Sequence, residues 1–294
     1  MADEPNPEAD ALSPPEAFAL VGDEVRTAVL RILLERYEHQ PLSFSELYEA
    51  ADVDDSGRFN YHLQRLVGHF LERTDEGYRL RDPGRKLGHA ILAGTYTDRP
   101  SIPRTRAPGE CYACGEPALV ASYEDERFAI ECAACGEDVL TVSFPPAGVT
   151  SRPPEAAVEA FDRWSTRQAA LVADGVCPAC AGAMDTSVTT EPPDSLAFDV
   201  LPRFRCRVCS YVGHVSFGSV AIHREDVLSV LHRHGWERDR VYWAIEHCVT
   251  DAHTVVASSG PLRVRETFSL EEATVTVTFD EAVRVVDVTE RPEG

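Results

Sequence analysis

The stretch Ser56-Gly-Arg-Phe-Asn-Tyr-His-Leu-Gln-Arg-Leu66 has the apolar spacing of an amphipathic helix and decides how the N-terminal third of the chain folds. Phe59, Leu63, Leu66 and Phe70 fall within about 60° of one another on a helical wheel, so they predict one buried face. The opposite face carries polar side chains: Arg58, Asn60, Tyr61, Gln64 and Arg65. Arginine pairs with guanine, and asparagine or glutamine pairs with adenine, so these residue types suit the major groove of double-stranded DNA.

Two helices are predicted ahead of this one. The first runs from Phe18 to Tyr37, before Pro41, and its apolar face is Phe18, Val21, Val25, Val29, Ile32 and Leu33. Ser43-Phe-Ser-Glu46 is a capping box, in which the Ser43 hydroxyl accepts from the Glu46 amide and the Glu46 carboxylate reaches back. A short helix from this box, a tight turn and the polar-faced helix together predict a helix-turn-helix.

A pair of short strands is predicted directly after this helix, from Leu71 to Arg81, with a turn at Asp75-Glu-Gly77. Three arginines of this wing can reach phosphates or the minor groove: Arg73, Arg79 and Arg81. Residues 16–98 therefore predict a winged helix-turn-helix DNA-binding domain. Residues 1–15 are acidic and rich in proline, and they predict a disordered tail.

The charge of this region contrasts with that of the whole chain. Between Asp55 and Ala90, lysines and arginines outnumber acidic residues by two, whereas the 294-residue chain has a formal net charge of −21. The helix and the wing thus form a local basic island, as expected of a nucleic-acid-binding surface. Of all the lysines and arginines, only Lys86 is a lysine. An acidic excess with almost no lysine is typical of proteins that work in concentrated salt, so we expect a halophilic protein.

Eight of the nine cysteines fall into four Cys-x-x-Cys pairs, which form two quartets. The first quartet is Cys111, Cys114, Cys132 and Cys135, and the second is Cys177, Cys180, Cys206 and Cys209. Four thiolates suit tetrahedral zinc, so the quartets predict two zinc ribbons and two structural zinc ions per chain. Iron also suits four thiolates, and the ligands could be shared between the quartets instead of each quartet closing its own site.

The remaining segments predict a multidomain α+β fold. Prolines mark linkers near Pro100, Pro103 and Pro108, and again from Pro145 to Pro154. The predicted segments are the first zinc ribbon (104–150), a linking helix (154–174), the second zinc ribbon (175–218) and a small C-terminal segment of helices and strands (219–294). Within the last segment, Arg224–His234 and Glu237–Val249 have helical spacing.

Two groups of polar residues in the C-terminal half have two interpretations each. Arg203, Arg205 and Arg207 are expected on a solvated edge strand, with nucleic-acid contact as the alternative. The histidines of the C-terminal segment are expected in ordinary surface and packing roles, with a second metal or effector site as the alternative. This second group is His223, His232, His234, His247 and His253, close to the ninth cysteine, Cys248.

The N-terminal motifs resemble the ArsR-like winged helix-turn-helix regulators of halophilic archaea. The resemblance rests on Ser43-Phe-Ser-Glu-Leu47, on Asn60-Tyr-His-Leu63 within the polar-faced helix, and on the wing ending Gly77-Tyr-Arg-Leu80. It covers about 80 residues, and the remainder is similar to the zinc-ribbon region that some of these regulators carry. The resemblance implies a homodimer with its third helix in the major groove. It does not imply metal sensing, because no cysteine precedes Cys111.

These observations predict a cytoplasmic, sequence-specific, DNA-binding transcription regulator that binds no membrane. Its partners would be double-stranded DNA, a second copy of the chain and the transcription machinery. A general transcription factor resembling the archaeal large subunit of transcription factor IIE is one alternative, and a zinc-stabilised protein-binding adaptor is another. An enzyme is not expected, since the chain has no Walker loop, no Gly-x-Ser-x-Gly and no His-Glu-x-x-His motif.

Overall fold

The computed structural model describes residues 12–192, 198–237 and 240–292, and in these ranges the chain is an α+β protein with four antiparallel sheets. It divides into two compact units, the first ending at Asp98 and the second beginning at Arg99. No helix in these ranges is long and apolar enough to cross a membrane. Most of the predicted disordered tail lies outside the described residues. Pro14 and Pro15 instead begin a helix, where Ser13 and Glu16 form a capping box.

The first unit is mainly helical. Its elements in chain order are α1 (Pro14–Val21), α2 (Glu24–Glu35), α3 (Phe44–Ala51), α4 (Ser56–Leu66), β1 (Leu71–Arg73), β2 (Tyr78–Leu80) and α5 (Asp82–Leu92). A short 3₁₀ turn at Tyr37–His39 lies between α2 and α3. The core of this unit is one apolar cluster in which Val29, Leu47 and Leu63 are fully buried.

The single first helix predicted from Phe18 to Tyr37 is wrong, because the chain breaks between α1 and α2. Asp23 is extended, and its carboxylate accepts the amides of Val25 and Arg26, which makes it the N-cap of α2. The predicted apolar face is buried from Val25 onward, but Phe18 is 74% exposed because it lies ahead of the break.

Side-chain caps set the junction between α3 and α4. The capping box predicted at the start of α3 is confirmed, since the Glu46 amide donates to the Ser43 hydroxyl and the Ser43 amide donates to the Glu46 carboxylate. Helix α3 ends at Asp52, which adopts the left-handed conformation. The Asp55 carboxylate then accepts the amides of Gly57 and Arg58 and so starts α4.

The β1–β2 hairpin is bonded to the segment that precedes α3. Leu71 pairs with Leu80 and Arg73 with Tyr78, while Tyr78 also exchanges two backbone hydrogen bonds with Leu42. Gly77 has a φ of 151°, and a Cβ there would lie 2.3 Å from the Leu42 carbonyl oxygen. Glycine is therefore required at this position, because any side chain would separate the hairpin from the helices.

The second unit combines three sheets with five helices in its described part. Its elements are β3 (Ile102–Arg106), β4 (Leu119–Glu124), β5 (Arg127–Cys132), β6 (Asp138–Ser143), α6 (Ala147–Thr150), α7 (Pro154–Ala173), β7 (Met184–Thr189), β8 (Leu201–Cys206), β9 (Val212–His214), α8 (Phe217–Ile222), α9 (Glu225–Arg233), α10 (Glu246–Val249), β10 (Thr254–Ser259), β11 (Leu262–Ser269), β12 (Ala273–Phe279) and β13 (Val285–Pro292). Within each sheet the strands follow chain order: β3 to β6, β7 to β9 and β10 to β13.

Helix α7 joins the parts of the second unit into one core. It spans the residues predicted for it, and its Phe161 stacks on Phe128 of β5 with ring centroids 4.1 Å apart. Phe161 also stacks on Trp243, whose indole Nε1 donates to the Pro108 carbonyl at 2.9 Å. The segments that were predicted separately therefore share one hydrophobic cluster. On the helix itself Leu171 is 39% exposed, whereas Val172 is buried.

Two further predictions for this unit are wrong. Ile102–Arg106, predicted as proline-rich linker, is edge strand β3, which tolerates Pro103 because an edge needs no amide on its outer side. The described part of the helix predicted at Glu237–Val249 contains only a 3₁₀ turn at Tyr242–Ala244 and the short helix α10. Ahead of α10 the Tyr242 amide donates to the Asp162 carboxylate at 2.7 Å, and this contact with α7 replaces a helical hydrogen bond.

Candidate functional site

Each cysteine quartet closes into its own group of four sulfur atoms. Within each quartet all four sulfurs lie within 4.8 Å of one another, so the ligands are not shared between the quartets. The first quartet has separations of 3.8 Å for Cys111–Cys135 and 3.6 Å for Cys114–Cys132. Zinc–sulfur bonds of about 2.3 Å in a tetrahedron imply sulfur–sulfur distances of about 3.8 Å. Both groups therefore fit a tetrahedral metal ion, as the sequence predicted.

All four Cys-x-x-Cys turns share one backbone pattern. The amide of the first cysteine donates to the carbonyl five residues ahead: Cys111 to Glu116, Cys132 to Glu137, Cys177 to Gly182 and Cys206 to Tyr211. The residue after the second cysteine is left-handed at every turn: Gly115, Gly136, Ala181 and Ser210. The second quartet thus adopts the same geometry as the first without glycine at this position.

Gly182 has a different role from the two turn glycines of the first quartet. It follows the left-handed Ala181, and a Cβ on it would lie 3.2 Å from the sulfurs of both Cys180 and Cys206. Gly115 and Gly136 directly follow the second cysteine of their turns, whereas Gly182 comes one residue later. A glycine is favoured at this later position because it packs closely against the ligand sulfurs.

Backbone amides stabilise the thiolate form of one buried cysteine in each quartet. The amides of Cys209 and Val208 donate to the Cys206 sulfur at 3.5 and 3.4 Å, and they lower the pKa of this thiol to about 6. The amides of Cys135 and Ala134 similarly lower the pKa of Cys132 to about 7. Because a thiolate is the form that binds a metal, these amides favour metal binding.

The C-terminal histidines do not form a third ligand group among the described residues. Three of them instead contact carboxylates. His247 Nδ1 contacts the buried Glu266, His253 Nε2 lies 3.2 Å from Glu246, and His234 Nε2 lies 2.6 Å from Glu290. The buried carboxylate of Glu266, which the sequence does not single out, is therefore the main polar feature of this region.

Helix α4 presents the polar face that the sequence predicted. Phe59, Leu63 and Leu66 are fully buried, and the side chains opposite them are all exposed: Arg58, Asn60, Tyr61, Gln64 and Arg65. Arg73, Arg79 and Arg81 are also exposed, on and directly after the β1–β2 hairpin. The eight residues of the predicted DNA-binding set thus belong to one continuous helix–hairpin segment.

Several members of this set have partners within the chain. The Gln64 amide donates to the Tyr78 hydroxyl at 3.1 Å and to Asn60 Oδ1 at 3.4 Å, which connects α4 to the hairpin. The Arg79 guanidinium is paired with Glu72 at 2.9 Å. A ligand that uses either residue must therefore compete with these contacts. The sequence does not reveal Tyr78 as a bridging residue, because it lies 14 positions beyond Gln64.

Comparisons with known proteins yield families without an assigned function. Residues 14–91, in the first unit, match a family described as domain of unknown function DUF7347. No curated protein and no solved structure matches the chain. Residues 108–285, which carry both cysteine quartets and make up more than half of the chain, match a second family. The chain therefore belongs to the family described as domain of unknown function DUF7351.

Proposed function

We propose that the protein is a transcription regulator that binds double-stranded DNA through a winged helix-turn-helix formed by α3, α4 and the β1–β2 hairpin. The observation that carries this proposal is the exposed polar face of α4. Its apolar side is fully buried, so the helix is held rigidly and its opposite side is presented to solvent. A helix of this kind, second in a tight helix-turn-helix, is the element that enters the major groove in such domains.

The side chains divide between base reading and backbone contact. Arg58, Asn60 and Arg65 have the donor and acceptor groups that distinguish guanine and adenine edges. The arginines of the hairpin suit phosphates, which position a protein without reading sequence. On binding, Arg79 would leave its ion pair with Glu72 and contact a phosphate instead. The guanidinium carbon of Arg73 lies 5.9 Å from the Tyr78 ring centroid.

The two cysteine quartets support this function as structural zinc sites. Each offers four thiolates and leaves no open position for a substrate, so a bound zinc ion would stabilise the fold and carry out no chemistry. Two zinc ribbons within DUF7351 would thus provide the rigid part of the second unit. We infer from the resemblance to ArsR-like regulators that the protein acts as a homodimer. Its second unit would contact the second copy of the chain or the transcription machinery.

Substitutions on α4 and in the hairpin test the proposal. Genomic fragments enriched by the wild-type protein serve as probes, with affinity measured by fluorescence anisotropy in concentrated potassium chloride. Arg65→Ala and Arg58→Ala should each weaken specific binding by about 1–3 kcal/mol, because each removes hydrogen bonds to a base. Arg79→Ala should weaken binding to all sequences about equally.

The control is Arg31→Ala, which removes another exposed arginine of the same unit, on α2. It should leave the affinity unchanged. If the α4 and hairpin variants also bind every fragment as tightly as the wild type, the winged helix serves protein contacts and the proposal fails.

A further inference from the structure

Three arginines alternate along strand β8 and its end, at Arg203, Arg205 and Arg207. All three are exposed, whereas the intervening Phe204 and Cys206 are buried. The sequence favoured a solvated edge strand for these residues; they are solvated, but the predicted edge position is wrong. Strand β8 is the central strand of its sheet, paired with β7 on one side and β9 on the other. Its arginines therefore occupy the middle of a sheet face.

The arginine face is open to solvent, while the opposite face is packed. The neighbours of the arginines in register are Ser187 and Asp185 on β7 and His214 and Val212 on β9. On the other side, a Cβ on Gly213 would lie 3.1 Å from Val172 of α7. The sheet is thus fixed against the helix, and the arginine row points away from the core.

Two of the three arginines, Arg203 and Arg205, form no ion pair among the described residues, although Asp185 lies opposite Arg205 in register. Arg207 is paired with Asp185, at 2.8 Å from its Nε. No carboxylate in the described part of the chain lies within salt-bridge distance of Arg203 or Arg205. The pKa of His214 is lowered by burial and by Arg203, so this neighbour adds little charge at neutral pH. An unneutralised basic pair stands out in a chain of net charge −21.

We propose that this arginine row, Arg203, Arg205 and Arg207, binds the phosphate backbone of double-stranded DNA. Alternate residues of a strand lie about 7 Å apart, so Arg203 and Arg205 offer two guanidinium groups at this spacing, and Arg207 follows directly after the end of β8. A polynucleotide backbone presents regularly spaced phosphates, and arginine binds phosphate oxygens through paired hydrogen bonds. The surface would contribute affinity without sequence preference, independently of base reading by α4.

The test uses the full chain and a 30-base-pair duplex of arbitrary sequence, at a salt concentration where circular dichroism shows the protein folded. The double variant Arg203→Ala/Arg205→Ala should bind about threefold to tenfold more weakly, as loss of two phosphate contacts predicts. Asp185→Asn, which frees Arg207, should bind more tightly than wild type. The control Arg163→Ala/Arg167→Ala removes the same charge from α7 of the same unit and should change affinity less than twofold.

The outcomes separate this surface from the α4 face. The Arg58→Ala/Arg65→Ala variant should bind enriched fragments no more tightly than an arbitrary duplex. Its affinity for either duplex should still fall when Arg203 and Arg205 are also replaced by alanine. The β8 variant should weaken all duplexes equally and keep the preference. Unchanged duplex affinity in the β8 variant, or an equal loss in the α7 control, overturns the proposal. The proposal is also overturned if the wild-type protein binds RNA or a poly-glutamate peptide more tightly than duplex DNA and the Arg203→Ala/Arg205→Ala variant loses that binding. The metal content of the β8 variant, measured in parallel, must equal that of the wild type, which shows that the neighbouring cysteine quartet is intact.

Discussion

At the residue scale, Glu266 is the buried charge on which the C-terminal sheet depends. It is 1% exposed on β11, and both of its carboxylate oxygens are engaged. His247 Nδ1 contacts Oε1, and the Thr254 hydroxyl of the neighbouring strand β10 donates to Oε2. The His247 ring also stacks on Phe268 with centroids 4.1 Å apart. Burying a carboxylate is tolerated here because each of its two oxygens has a hydrogen-bonding partner.

Removing this carboxylate should be strongly destabilising. Glu266→Ala leaves the His247 imidazole and the Thr254 hydroxyl without their acceptor inside the core, so we expect the free energy of unfolding to fall by about 3–5 kcal/mol. Urea unfolding followed by tryptophan fluorescence measures this. Glu271→Ala, an exposed position in the turn after β11, serves as the control. A loss below about 1 kcal/mol for Glu266→Ala would contradict a structural role for the network.

At the element scale, the Cys-x-x-Cys turns have a geometry that is set locally but closes only in pairs. In each turn the amide of the first cysteine donates to a carbonyl five residues ahead. The residue that follows the second cysteine is left-handed. One turn supplies two thiolates, so a four-coordinate ion needs two turns held together by a sheet. In the first quartet, strands β4 and β5 hold them together, and β7 with β8 holds the second pair.

Metal content tests this arrangement. We expect close to two zinc ions per chain by elemental analysis of the purified protein, and one in Cys132→Ser, because three ligands and a serine hold zinc poorly. The same variant should unfold at lower denaturant concentration, since metal binding there contributes to folding energy. Cys248→Ser is the matched control, because Cys248 is buried outside both quartets. No metal, or iron alone, would refute the zinc assignment.

At the scale of the whole molecule, the proposed function would bring an acidic polymer, DNA, to a chain of net charge −21. Most DNA-binding proteins gain affinity by releasing counterions, and that gain vanishes as the salt concentration rises. Here Asp55 and Glu72 lie within the basic island, as the cap of α4 and the partner of Arg79. The contacts that remain effective in concentrated salt are hydrogen bonds to bases, bidentate arginine–phosphate pairs and apolar contact.

We therefore expect a shallow or positive slope of log affinity against log salt concentration for specific DNA. We also expect folding itself to be lost below roughly molar salt, because the net charge is then unscreened. Binding and circular dichroism followed together from low to molar potassium chloride measure both. A steep negative slope from a protein that stays folded in dilute buffer would contradict adaptation to concentrated salt.

The sequence by itself determined the features that depend on neighbouring residues. The bounds of α7, the two faces of α4, the capping box at Ser43 and the grouping of eight cysteines follow from local spacing, which the chain retains in any fold. The break at Asp23 is also local, and its signal is the Gly22-Asp23 pair ahead of α2. Tertiary structure alone decided features whose partners are far along the chain. Strand β8 became central because β9 pairs with it. Tyr242–Ala244 forms a 3₁₀ turn and not part of a longer α-helix, because Tyr242 bonds to Asp162 and Trp243 to Pro108. The spacing of apolar residues predicts which face of an element is buried, but it does not predict which other element packs against that face.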